Sequence, residues 1–326
     1  TLGVRVANLE KKADNVKITG QIRYEYAHRD GKLADIKNES IATHRLRTRL
    51  FVNGQINDDW SYTARIQNDQ NLHNDAGDEK TSFNQAYVQG KLGGFKVVAG
   101  KAPLLLADGN LYDDTAEFVG LTYGKDVQLN AYYGQPTDYG YDSFYGAALS
   151  GKVGVVSLSA GYDQFKDAYA ADVKFGDVVT GIHNTAVKVG EDLGVFNVGA
   201  KVKVAKDLTL DAMYLKSDAD DNAWVKDVDD DGFVVGLSYK GAKADEVGSW
   251  GLWGKYYDQG AGTFIAHTMK AGDWKYTMEE GFKGYGVGAT YTLAKNMVYM
   301  LDYYDLEGKK TDVDSQVLWS RLQVTF

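Results

Sequence analysis

Cysteine is absent from the 326 residues and proline occurs only twice. Nowhere does an uninterrupted apolar run approach the roughly 18 residues that a membrane-crossing helix needs. The missing thiols exclude a disulfide framework and cysteine metal sites, but not export, since a sheet that closes on itself needs no covalent staple. Basic charge is also short: 36 Lys and Arg stand against 45 Asp and Glu, a formal net charge of -9. That balance argues against nucleic acid as a partner, because such binding rests on clustered cations neutralising phosphates. The first residues lack a charged stretch leading into an apolar one, so any export leader is expected to have been removed or to lie outside this sequence. What the chain does hold is 37 glycines and 23 tyrosines, and tyrosine suits a surface that is apolar at one end and wet at the other.

Two periodicities follow one another. Leu2, Val6, Leu9, Ala13 and Val16 recur at steps of four and three, which reads as the seam of a short helical coiled-coil end over residues 1–15, the alternative being an isolated amphipathic helix. From Val16 the period becomes two: Ile18, Gly20, Ile22, Tyr24 and Tyr26 alternate with Lys17, Thr19, Gln21, Arg23 and Glu25. The same alternation returns in Phe196–Val204, Leu208–Ala212 and Leu318–Phe326, as half-buried strands require.

The links alternate in length. Short ones fall at 57–59, 93–94, 124–126, 151–154, 205–207, 241–249 and 294–296; long ones at 29–42, 71–82, 103–115, 135–143, 165–194, 218–232, 259–284 and 307–314. Short turns at one rim and long loops at the other mark an outer-membrane barrel. The expected fold is all-β: an antiparallel transmembrane β-barrel of sixteen strands over residues 16–326, with 165–194 read as one loop holding a helix or an inner hairpin. Both prolines, Pro103 and Pro136, are placed at the starts of long loops.

A lumen of sixteen strands is too wide to be filled by side chains, so the apolar set faces lipid and the polar set encloses water. Arginine fixes this orientation. Arg45, Arg47 and Arg49 share one face of one strand, and each would cost about 2–4 kcal/mol if it pointed into lipid near the midplane. With that register Arg23, Arg45, Arg47, Arg49, Arg65 and Arg321 form one basic patch on a single inner wall, because the first and last strands pair to close the barrel. The bland reading is a set of solvated charges balancing scattered acids. Opposite them, the third long loop keeps Leu104, Leu105 and Leu106 together and ends in acid. A loop that packs back into the lumen would bring Asp108, Asp113, Asp114 and Glu117 toward the arginines, giving a transverse field across a constriction; the alternative is that its leucines anchor a subunit contact.

Other motifs are weaker. Asp227–Gly232 opens like a calcium loop, yet Ser238 stands where a bidentate Glu belongs, so a solvated acidic loop is expected. His28, His44, His73, His183 and His267 keep no ligand spacing, which supports neither a metal site nor a hydrolase. No cofactor and no catalytic residue are expected. Tyr87, Tyr132, Trp253 and Tyr257 on the lumen parity keep open a sugar-selective path.

The heptad seam running into a barrel, the sixteen strands, and the terminal aromatic of Leu322-Gln323-Val324-Thr325-Phe326 together resemble the OmpM-type porins of diderm Firmicutes. The resemblance implies a passive diffusion channel for small hydrophilic solutes and ions in the outer membrane. It also implies a homotrimer in contact with membrane lipid and lipopolysaccharide, assembled by the barrel assembly machinery through Phe326. In that family a cell-wall-binding domain precedes the stalk and tethers the membrane; this sequence carries no such domain, so tethering would belong to a longer parent. The alternatives are a sugar- or anion-selective channel and a mainly structural tether.

Overall fold

Each strand is greasy on one face and wet on the other, and only a closed sheet leaves no backbone edge exposed to hydrocarbon. The computed structural model describes residues 15–33, 36–72, 81–137, 139–168, 173–175, 178–180, 191–219, 228–269, 281–310 and 312–326. The strands are β1 (Val16–Leu33), β2 (Ile36–Gln55), β3 (Trp60–Asn71), β4 (Thr81–Leu92), β5 (Phe95–Leu106), β6 (Tyr112–Gly124), β7 (Val127–Pro136), β8 (Tyr141–Val153) and β9 (Val156–Ala168). After the short β10 (Val173–Phe175) and β11 (Val178–Thr180) come β12 (Leu193–Ala205), β13 (Leu208–Ser217), β14 (Asp231–Lys240), β15 (Trp250–Gln259), β16 (Phe282–Ala294), β17 (Met297–Gly308) and β18 (Asp314–Thr325). All but β10 and β11 join one closed antiparallel barrel of sixteen strands, in which β9 pairs directly with β12. The inner element expected between 165 and 194 is a hairpin, β10 with β11.

β1 pairs β18 to seal the ring. At that seam the Phe326 ring lies over Gly20, where any Cβ would collide with it, and the two backbones exchange hydrogen bonds of 2.7 and 3.0 Å. Among the described residues there is no α-helix; the helical seam expected at residues 1–15 lies, but for Asn15, outside them.

Several links expected to be long are short, because strands continue past the bilayer. β1 and β2 run 18 and 20 residues, against the 9–11 or so that cross hydrocarbon, so most of 29–42 is hairpin ladder and not loop. Pro136 closes β7, and Pro103 lies inside β5, two residues past the last β4 pair, Ala86 with Lys101. There the strand has become an edge, where a missing N–H is tolerated.

Outward positions are occupied by the expected apolar residues. Tyr24, Leu129, Tyr133, Phe233, Val235, Leu237, Tyr256 and Tyr291 are all exposed on the isolated barrel, while alternating lumen positions are shielded. On this wall Leu237→Arg is expected to cost about 2–4 kcal/mol at the hydrocarbon midplane. The neighbouring lumen change Ser238→Arg should leave urea unfolding in lipid vesicles nearly unchanged. Equal loss from both would reverse the assignment of faces.

Candidate functional site

The basic patch is assembled by register. Arg23 lies directly opposite Arg47, and Glu25 opposite both Arg45 and Arg321; Arg47 faces Asp69 and Arg49 faces Gln67 on β3. Like charges directly across a ladder repel, so acids are interleaved. Arg45 Nε donates to Glu25 at 2.6 Å, Arg47 Nε to Asp69 at 2.6 Å, and Arg321 stands 3.9 Å from Glu25 while covering the Trp319 ring. Two further guanidinium groups meet neutral acceptors: Arg49 Nε donates to Gln67 at 2.7 Å and Arg65 Nε to Asn84 at 2.8 Å. Arg23 Nε is buried with no hydrogen-bond partner. Six arginines therefore share two carboxylates on this wall, and Arg23, Arg49 and Arg65 hold no ion pair among the described residues.

The third link is a β-hairpin and not an irregular loop. β4 leaves β5 at Lys101 and β7 leaves β6 at Ala116, yet β5 and β6 stay paired from Ala102–Ala116 to Leu106–Tyr112. Freed on both sides, residues 102–116 bend across the lumen. Their tip turns on three residues with positive φ, Ala107, Asp108 and Gly109; Asp108 lies 3.8 Å from Lys201 of β12, four strands from β6, and the Asn110 carbonyl accepts at 3.3 Å from Gln259 of β15, about halfway round the ring.

The leucines account for the bend. Leu104, Leu106 and Leu111 are buried with Tyr112, Phe144 and Phe165, with the half-buried Phe118 packed against them, inside the barrel and away from its outer surface, whereas Leu105 stays exposed. Ring centroids are 5.9 Å apart for Phe144–Phe165 and 6.4 Å for Tyr112–Phe165, contacts that add roughly 0.5–1.5 kcal/mol apiece to their burial. This core fills the lumen beside β6–β9 and leaves the open path along the arginines. A cavity of about 600 Å³ separates Arg23, Arg47, Arg49, Arg65 and Arg321 from Asp113 and Asp114. A second, of about 520 Å³, adjoins it and is lined by Arg29, Arg45, Asp113 and His267.

The acidic candidates divide. Asp113 accepts from Thr268 Oγ1 at 2.5 Å; Asp114 accepts from Tyr139 at 2.5 Å and from the Thr115 amide at 2.7 Å. Asp108 is engaged at the tip. Glu117 sits at the hairpin's base opposite Lys101, on the parity of the outward Val119 and Leu121, and does not line the cavity. Sequence reasoning missed Lys101, which does line it; Gly100, with φ of 124°, disturbs the alternation just before that residue.

It missed a second inward segment too. After β15, residues 260–269 turn into the lumen and lie along the hairpin tip: Asp113 N donates to Ala266 O at 2.7 Å, Ile265 N to Leu111 O at 2.9 Å and Thr268 N to Gly109 O at 2.8 Å. His267 is held between Gln259, 2.8 Å from Nε2, and the Met269 amide, which donates to Nδ1 at 2.9 Å. Burial, aided by the charge of Lys255, lowers its pKa to about 3. The lumen-side aromatics serve packing: Trp253 donates to Asp302 at 3.1 Å, Tyr132 bonds Asp163, and Tyr257 packs on Phe282 and His267. In the acidic loop, Asp229 and Asp230 pair with Lys309 and Lys216, while Asp227 lies outside the described residues. Among those described, no group of three or more histidines and acids is arranged to hold a metal.

This architecture is that of bacterial porins. OprB of Pseudomonas putida has a similar structure, with a TM-score of 0.63 at 14% identity over 98% of this chain and 96% of that one. A loop-deleted OmpT, an outer-membrane protein of Vibrio cholerae, gives 0.60 at 17% over 94% and 98%, and the Rhodopseudomonas blastica porin 0.55 at 15% over 95% and 100%. At such identities the likeness is one of fold. The family described as Phosphate-selective porin O and P matches residues 16–104, which span β1 to most of β5. No curated protein matches the sequence.

Proposed function

We propose that the chain is a passive diffusion channel of the outer membrane of a diderm bacterium, and not an enzyme, passing small hydrophilic solutes and ions through a charged constriction. The observation that carries this reading is the hairpin: it crosses the lumen and holds Asp113 and Asp114 opposite Arg23, Arg47, Arg49, Arg65 and Arg321 across about 600 Å³ of open space. Opposed charges orient water and favour small polar solutes that replace it. Within that reading an anion preference is favoured by the surplus of arginine over acid on the wall, and it accords with the phosphate-selective description of the family matched at residues 16–104. A sugar path has less support, since Tyr132, Trp253 and Tyr257 are engaged in packing.

The likeness to OmpM-type porins supports a homotrimer meeting membrane lipid and lipopolysaccharide, assembled by the barrel assembly machinery. Residues 1–15 would then be the end of a stalk whose parent tethers the membrane, and 16–326 the channel. Purified protein in a planar bilayer tests the function: stable open channels with a reversal potential on the anion side are expected. A silent, plugged barrel points to a structural tether, and large currents blocked by one particular sugar to a selective sugar channel.

A further inference from the structure

The hairpin tip is not free in the lumen. Leu111 and Tyr112 are fully buried, as are Gln259 and Thr263 of the facing segment, and the backbone bonds between 109–113 and 265–268 form a short ladder that includes a parallel bridge from Tyr112 to Ala266. Gly109 is required twice over: its φ is 82°, and an added Cβ would come within 2.7 Å of the Thr268 Cβ. Thr268 thus packs its side chain against the turn while its hydroxyl donates to the Asp113 carboxylate at 2.5 Å. Asp113 lines both the constriction and the adjoining cavity, so that carboxylate stands at the neck between them, exposed, with no cation bonded to it among the described residues.

We infer that residues 260–269 are a second constriction element and that Thr268 is a positioning residue which holds the Asp113 carboxylate on the hairpin side of the neck, so setting the channel's ion preference. The inference rests on reading the barrel as a channel constricted at this hairpin. Without the hydroxyl, the nearest stabilisation for a mobile carboxylate is the arginine wall, where surplus positive charge is unpaired. Asp113 would then neutralise the very groups that attract anions, instead of facing them across the gap. A charge about 10 Å from the pore axis, screened over one Debye length, changes the anion-to-cation permeability ratio roughly 1.7-fold at about 0.1 M salt.

The test compares reversal potentials in planar bilayers under a salt gradient. Asp113→Asn removes the acid and should raise the anion-to-cation ratio by that factor. Thr268→Val keeps the shape, loses the donor, and should move the ratio the opposite way by up to the same amount. Thr268→Ser should restore the native value, and Thr268→Val combined with Asp113→Asn should match Asp113→Asn alone, as coupled sites do. A native ratio in Thr268→Val alongside a shifted one in Asp113→Asn overturns the positioning role but leaves the constriction standing. No shift in either variant removes Asp113 from the neck, and both readings fail together. Single-channel amplitude and resistance to unfolding in detergent report that each variant folds; should Thr268→Val not insert, Thr268→Ala and Thr268→Cys carry the same comparison.

Discussion

Replacing Arg23, Arg49 and Arg65 together by glutamine is expected to lower the anion-to-cation permeability ratio roughly fivefold at about 0.1 M salt and roughly twentyfold at about 0.01 M. These three carry most of the surplus charge of the wall, since Arg45 and Arg47 are matched by Glu25 and Asp69 and Arg321 shares Glu25 with Arg45. At about 10 Å in water each contributes ~0.4 kcal/mol before screening, favourable to an anion and unfavourable to a cation, and a Debye length of about 10 Å at 0.1 M reduces that to ~0.15 kcal/mol. Reversal potentials at the two salt concentrations check both size and salt dependence. An unchanged ratio at low salt would place the narrow part of the path elsewhere. Arg45→Gln differs in kind: Glu25, only 5% exposed, would keep just the more distant Arg321, and removing one partner of a buried pair is costly to stability.

Acidification is expected to loosen the hairpin. His267 is neutral where it sits: Nδ1 accepts from Met269, which leaves the proton on Nε2 to donate to Gln259, and Gln259 in turn reaches the Asn110 carbonyl at the hairpin tip. Its pKa there is lowered from 6.5 to about 3 by burial, with Lys255 as the contributing charge. Once the segment swings free, the ring returns to its ordinary range and binds a proton. The clamped form therefore has its full stability above about pH 6.5 and loses it as pH falls toward 3, by up to tenfold in population per unit. Voltage-induced closure or open-channel flicker should rise from about pH 7.5 to about 5.5, a window above the ordinary range of carboxylates, and His267→Gln should remove the dependence. His28 and His44 lie on the outward parity of β1 and β2, and the His44 ring packs on Tyr24 and Tyr26, although His44 also borders the cavity that His267 lines. A pH response that survives His267→Gln would detach it from the clamp.

How much of this could be read beforehand follows from the range of each interaction. Orientation was legible because a strand repeats every two residues and arginine in lipid is expensive; Arg45, Arg47 and Arg49 alone decide it. The closure of β1 on β18, and hence the neighbourhood of Arg23 and Arg321, followed from ring topology. The third link was legible in its leucines, which called for something to pack on, but not in its form: the ladder from Ala102 to Leu106 carries Pro103 and three leucines without alternation, so no period announces a strand. Nearness in sequence groups Glu117 with Asp113 and Asp114, whereas the hairpin separates them at its base. The segment 260–269 gave no signal, because its role depends on Gln259 and Thr268 meeting Asn110 and Asp113 about 150 positions away in the chain. Such pairings are written in shape and not in periodicity.

An empty cylinder of strands can be squeezed toward an ellipse at little cost, because its hydrogen bonds lie within the wall and resist stretching more than bending. Here a two-stranded beam runs from β5 and β6, is braced at its tip by Lys201 of β12, and is fastened on the far side by Gln259 and the 260–269 segment. It works as a tie across the diameter. Lateral pressure from the surrounding lipid is therefore expected to pass from wall to wall through the beam, so that the gap beside the arginines would hold its width while the envelope flexes around it.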